Sequence, residues 1–194
     1  MAAKIPKSIA LDVSQSIVSY GGPVVLSGSV ANGQAGESVT IVEQRLPSVR
    51  GLQVRTVATV QTAADGSFNL DVCPLIHTLY KASIGQTSSN AVLVHVRPVV
   101  RLTAIGAHRF VARAVAGRSF VGRYGVLQRW SLKRHHWTSL RRLFFTRALA
   151  GSAPTIVSRA VFRARFGGAR IRVFIPGSQT VPGYIAAFSN ITRA

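Results

Sequence analysis

Thr56-Val57-Ala58-Thr59-Val60-Gln61-Thr62-Ala63-Ala64-Asp65-Gly66-Ser67-Phe68-Asn69-Leu70-Asp71-Val72 decides the fold class. Its first part is rich in valine and threonine, which suit a pleated, half-buried surface. In its last part Phe68, Leu70 and Val72 alternate with Asn69 and Asp71. A period of two places one set of side chains on a buried face. Asp65-Gly66 between the two runs predicts a hairpin joining Thr56–Thr62 to Ser67–Val72. Further on, Val92, Val94 and Val96 alternate with Leu93 and His95, which puts His95 on the surface. Gly21-Gly22-Pro23 and Asn32-Gly33 mark other turns. Sustained 3.6-residue periodicity and helix capping boxes are missing, so the chain reads as all-β.

The second half is less regular. Arg109–Ala116, Val121–Trp130, His136–Phe145, Arg159–Phe166 and Ala169–Ile175 resemble strands. Leu140, Leu143, Phe144 and Ala148 would also share one helical face. Strand is the better reading of Leu140–Ala150, because its neighbours are strands.

Composition bounds the rest. The 194 residues are 47% hydrophobic and 15% charged, enough for a real core. No stretch reaches 18 uninterrupted apolar residues, so no membrane span is expected. The opening Met1-Ala2-Ala3-Lys4-Ile5-Pro6-Lys7-Ser8 lacks the apolar region of a secretory signal. The single cysteine, Cys73, rules out an intrachain disulfide and is expected to be a small buried filler.

Charge divides the chain. Residues 1–97 hold 7 Lys and Arg and all 5 acids, whereas residues 98–194 hold 17 Lys and Arg and no acid. A shift this abrupt predicts a boundary near Arg97-Pro98, with a near-neutral domain at 1–97 and a strongly basic one at 98–194. The halves also repeat weakly. Val24–Ala31 parallels Arg109–Ala116, Ser38–Arg45 parallels Tyr124–Arg129, and Leu79–Ile84 parallels Ala169–Ile175. Ser89-Asn90 and Ser189-Asn190 each stand near the end of a half. Units near 90 residues suit a sandwich domain.

The chain resembles the tandem immunoglobulin-like β-sandwich domains of bacterial surface and secreted proteins. Tyr20–Gly22, Val25–Gly28, Ala35–Ile41, Ala64–Phe68, Pro74 with Thr78-Leu79-Tyr80, and the closing Ser-Asn pairs carry the likeness. Gln128-Arg129-Trp130, Trp137-Thr138 and Ala169–Pro176 extend it into the second half. The resemblance implies two consecutive immunoglobulin-like sandwiches, with Tyr80 tying down a corner inside the fold. It also implies an extracellular or cell-surface location, or a virion, where such domains serve as decoration and need no export signal. Partners would be further copies of the chain or other protein subunits of an assembly.

Chemistry finds few candidates. Glu37 and Glu43 lie six residues apart on one strand, about 20 Å, too far for paired-carboxylate hydrolysis. Asp65 serves the turn, and Asp12 and Asp71 face solvent. His77, His95, His108, His135 and His136 form no metal-ligand spacing, and no Gly-rich phosphate loop precedes a helix. No catalytic residue, metal or cofactor is expected.

One stretch stands out, Gln128–Arg142. It is read as a strand, a loop near Leu132–His135 and a returning strand. Basic side chains attract phosphates, and tryptophan stacks on bases or sugars. Arg129, Lys133, Arg134, Arg141 and Arg142, with Trp130 and Trp137, are therefore the candidate contact for a polyanion such as nucleic acid, teichoic acid or an acidic polysaccharide. The tryptophans also suit a cross-strand pair with a purely structural role. The expected function is a non-enzymatic structural or adhesive module, with polyanion binding through the basic half as the alternative.

Overall fold

The computed structural model describes residues 8–47 and 53–194, so the reading of the first seven residues lies outside it. The protein is built of strands and one single helical turn. The chain divides into two compact units, Met1–Val96 and Arg97–Ala194.

The first unit contains β1 (Ile9–Val13), β2 (Ile17–Ser19), β3 (Val24–Val30), β4 (Ser38–Arg45), β5 (Val54–Gln61), β6 (Ser67–Val72), β7 (Thr78–Ile84), β8 (Thr87–Ser88) and β9 (Val92–Arg97). One sheet has the order β1-β3-β6. The other runs β2-β9-β7-β4-β5, with β8 on β7. Their inner faces supply the core. Ile9, Leu11, Val24, Leu26 and Phe68 come from the first sheet, and Val39, Ile41, Tyr80, Ala82, Val94 and Val96 from the second, all buried. Each large side chain of this set contributes about 1.5–3 kcal/mol by leaving water. Gly28 makes room for one of them. A Cβ there would lie 2.3 Å from the Phe68 ring and 2.4 Å from the Ala10 carbonyl.

The second unit contains β10 (Val99–Gly106), β11 (Arg109–Ala116), β12 (Tyr124–Ser131), β13 (His136–Phe144), β14 (Arg147–Ala150), β15 (Ile156–Arg163), β16 (Arg170–Ile175), the helical turn α1 (Gly177–Thr180), β17 (Ala187–Phe188) and β18 (Thr192–Arg193). One sheet is β10-β11-β15-β14 and the other β13-β12-β16-β17, with β18 on β16. Phe120, Phe145 and Tyr184 sit wholly buried, with the Phe120 ring against both of the others. The Tyr184 hydroxyl accepts a hydrogen bond from the Gly117 amide at 3.0 Å.

Both units have the immunoglobulin-like arrangement. The first, second and fifth large strands form one sheet; the third, its neighbour and the late strands form the other. The sequence parallels fall on corresponding strands: β3 with β11, β4 with β12, and β7 with β16. The Ser-Asn pairs correspond in detail. The Asn90 amide oxygen accepts from Leu11 N at 3.1 Å, and its nitrogen donates to Leu11 O at 2.9 Å. Asn190 holds Leu102 in the same way, at 2.8 and 2.9 Å. The adjoining serine hydroxyls accept from Ala82 N and Val173 N. An asparagine amide has one donor side and one acceptor side, so it can pair with both backbone groups of one residue. Each Asn thus occupies the free edge of its unit's first long strand and ties one sheet to the other.

Three expectations need correction. Asp65-Gly66 does turn the chain, with Gly66 N donating to Ala63 O at 3.0 Å, but it does not join a hairpin. β5 pairs with β4, while β6 crosses to β3, where Phe68 lies over Gly28. A two-residue turn specifies a reversal; the packing of Phe68 and Val72 selects the partner. Cys73 is exposed rather than buried, because it follows the last core residue of β6 and precedes buried Pro74. His95 is half-buried, its ring edge-on to His77 at 5.0 Å. β10, which opens the second unit, went unread in the sequence. The doubtful stretch at 140–150 is strand: β13 ends at Phe144, and the chain changes sheet before β14.

Candidate functional site

The hairpin β12–β13 sets out the candidate residues. Its strands pair Tyr124 with Phe144, Val126 with Arg142, Gln128 with Ser139, and Trp130 with Trp137, and a bulge follows Leu127. Leu127 is buried, as are Ile171, Val173 and Ile175 of the adjoining β16. Alternation therefore turns Val126, Gln128, Arg172 and Phe174 to the outside of the sheet. The bulge keeps Trp130 and Trp137 on that same side.

The result is a face where rings and guanidinium groups alternate. Trp130 and Trp137 meet edge-on at 5.5 Å, Tyr124 and Phe144 at 5.8 Å, and Phe174 stacks on Phe188 at 4.5 Å. The Arg172 guanidinium lies 4.2 Å from the centres of both the Trp137 and Phe188 rings. Its Nε donates to Gln128 Oε1 at 2.9 Å, and the Gln128 amide nitrogen donates in turn to Ser139 Oγ at 3.3 Å. Burial lowers the Arg172 pKa, yet an arginine starts so high that it stays charged. Arg142 lies 4.6 Å from the Tyr124 ring. Phe144 and Phe188 remain about half exposed, at 53% and 49%.

Three sequence candidates belong to this face: Trp130, Trp137 and Arg142. The tryptophans are indeed a cross-strand pair, and they are that on the outer surface rather than in the core. Lys133 and Arg134 occupy the turn between β12 and β13, where His135 takes the left-handed conformation at φ 49°. Both are exposed. Arg129 and Arg141 pair with core positions and point elsewhere. Arg129 lies 5.5 Å from the Phe166 ring, and Arg141 lies 6.0 Å from Phe162 while donating to Arg163 O at 2.6 Å. Arg141 lines a groove of about 360 Å³ with Phe144, Thr146 and Phe162, at the open edge between β13 and β15.

Arg172, Phe174, Phe188, Tyr124 and Phe144 were missed. For Arg172 and Phe174 a signal existed: they alternate with Ile171, Val173 and Ile175, which marks them as outward-facing. Nothing local to Phe188 gave its place away.

Not all cations of the second unit are available to a partner. Arg118 donates to Thr180 O and, at 2.9 Å, to Val181 O, with its head over Phe120 and Tyr184. Burial and then the nearby Arg123 lower its pKa. Arg123 donates to Gln179 O at 2.7 Å and to Val181 O at 2.8 Å. These two satisfy the carbonyls at the end of α1, where a carboxylate could not. The first unit handles charge differently: buried Glu43 meets Arg45 at 3.0 Å and Arg55 at 2.8 Å.

Among the described residues no three of His, Cys, Asp and Glu gather as metal ligands. Among the described residues no helix is long and apolar enough to cross a membrane. No protein-family model and no curated protein matches the sequence. Among solved structures the chain is similar to bovine butyrophilin at 9% identity and a TM-score of 0.37, over 96% of this chain and 99% of that one. The immunoglobulin-like assignment rests on the strand order itself.

Proposed function

We propose that the chain is a non-catalytic β-sandwich module of a larger surface or particle assembly, and that its second unit makes contact with a polyanionic partner. One observation carries the reading. Residues 98–194 have 17 cationic side chains and no acid, and the outer face of β13-β12-β16-β17 sets Arg142 and Arg172 among exposed rings. A cationic surface without anions concentrates a polyanion, and binding releases the polymer's condensed counterions. Lys133 and Arg134 extend the cationic area at the tip of the hairpin. Two consecutive sandwiches would serve to space or display the contact.

Affinity of the full chain for heparin and for duplex DNA, measured across salt, tests this. If about six phosphates are neutralised, the log–log slope on duplex DNA is about −5. Replacing Lys133, Arg134 and Arg142 with serine flattens the slope and leaves the circular dichroism spectrum unchanged. Absence of binding to either polymer at about 50 mM salt, where such contacts are strong, removes the polyanion partner. An acidic protein subunit would then be the better account of the charge.

A further inference from the structure

We infer that the aromatic and cationic face of β13-β12-β16-β17 takes single-stranded nucleic acid, with bases stacked on its exposed rings and backbone phosphates held by Arg172 and Arg142. The inference rests on the polyanion reading above and names which polyanion the face suits.

Arg172 is the centre of the argument. Trp137 and Phe188 cover its two flanks, each ring centre at 4.2 Å. Its Nε is engaged by Gln128, and among the described residues its two Nη groups make no hydrogen bond. A guanidinium held this way has lost its rotamer freedom before any ligand arrives, and it presents a planar pair of donors at its outer edge. That fork matches two oxygens of a phosphate. A structural arginine of this protein looks different: Arg118 and Arg123 spend their Nη groups on backbone carbonyls.

The rings decide between polyanions. Phe144 is 53% exposed and meets Tyr124 edge-on, so it offers a ring beside Arg142, whereas Phe188 is already engaged by Phe174 and Arg172. A sulfated or carboxylated polysaccharide offers anions but no π-face. A duplex offers phosphates, with its bases already stacked inside. A single strand offers both, and base-on-ring stacking beside phosphate contacts is the usual way such strands are held without sequence preference. No acid in residues 98–194 repels the backbone.

The protein contains two tryptophans, and Trp130 and Trp137 both lie on this face, so their fluorescence reports occupancy directly. Titrating the full chain with a 20-nucleotide oligothymidylate should quench that emission, with a log–log salt slope of about −3 for four phosphates. Affinity should exceed that for a 20-base-pair duplex or for heparin at equal charge. Phe144→Ala should weaken oligothymidylate binding about tenfold and leave the salt slope unchanged, because stacking releases no counterions. Arg172→Gln should weaken it and reduce the slope by about 0.7. Phe144 is exposed at the surface, so its variant stays informative even if Arg172→Gln fails to fold.

Equal affinity for heparin and duplex, with no effect of Phe144→Ala, would overturn the nucleic-acid inference and leave the polyanion reading standing. Oligothymidylate binding without quenching would also overturn it, since the contact would lie elsewhere. Failure to bind any of the three polymers would remove both.

Discussion

The two units carry corresponding sheets, and their outer faces could hardly differ more. In the first unit the pairs facing out from β4 and β7 are Thr40 with Ser83, Val42 with Lys81, and Gln44 with Leu79. In the second, the equivalent strands present Val126 with Phe174 and Gln128 with Arg172, flanked by Trp130, Trp137, Arg142 and Phe188. The inner faces, by contrast, are alike: branched aliphatics, a few rings and small residues. The frame is shared, and the differing rings and cations lie at outward positions, with buried Glu43 of the first unit as an exception. Such a pattern separates what the fold requires from what a partner would require.

The shared half of the comparison predicts the largest effect. Asn90→Ala and Asn190→Ala each strip a donor and an acceptor from one strand residue, Leu11 or Leu102. Leaving such part-buried backbone groups unmade costs about 1–3 kcal/mol each. Both variants should therefore lower stability by about 2 kcal/mol or more, by similar amounts, each in its own unit. Urea unfolding followed by circular dichroism checks this. An effect on one unit alone would show that the correspondence of the two Ser-Asn pairs is one of sequence and not of energetics.

Much of this frame was legible because period-two alternation and turn residues act locally. Phe68–Val72 announced a strand, and Asn32-Gly33 a turn, from a few neighbouring residues. The partner of each strand was less legible. Asp65-Gly66 suggested a hairpin because a turn sequence says nothing about which sheet receives the next strand; the Gly28–Phe68 contact, forty residues apart, settles that. Cys73 looked like core because cysteine is usually a small buried filler, but it falls on the outward set with Asn69 and Asp71, so the same period-two pattern places it in solvent. The candidate face was half legible. Gln128–Arg142 drew attention by its density of charge and tryptophan. Alternation with Ile171 and Val173 marks Arg172 as outward-facing, but that it and Phe188 join the hairpin's face follows from cross-strand pairing, which no local pattern encodes.

The differing half of the comparison yields a smaller effect and divides the second unit's arginines into two kinds. Arg118 ties α1 down and lies over Phe120 and Tyr184. Arg118→Ala should destabilise by about 1.5–3 kcal/mol, as expected for lost hydrogen bonds to a charged group. Arg134, exposed in a turn, should cost less than about 0.5 kcal/mol when changed to alanine. Thermal melts of the two variants decide it. A large loss from Arg134→Ala would mean that the hairpin tip is structural, which would weaken its candidacy as a contact.

The smallest effect concerns pH, and it separates the units again. His77 is part-buried, and its Nδ1 accepts a hydrogen bond from Val96 N at 2.9 Å. Burial, and then the neighbouring His95, lower its pKa below 6.5. The folded state thus prefers the neutral ring, and unfolding takes up a proton between the two pKa values. The stabilisation is complete above about pH 6.5 and is lost as pH falls through the lower, folded value. Asp65 is held below 3.8 by Ser67, so its contribution disappears only at more acid pH. The second unit's histidines, His108, His135 and His136, are exposed. Acidification from pH 7 to 5 should therefore lower the urea midpoint of the first unit. His77→Asn, which offers an amide oxygen to Val96 N without titrating, should flatten that dependence. If the variant keeps the wild-type pH profile, His77 is not the group responsible for the first unit's sensitivity to acid.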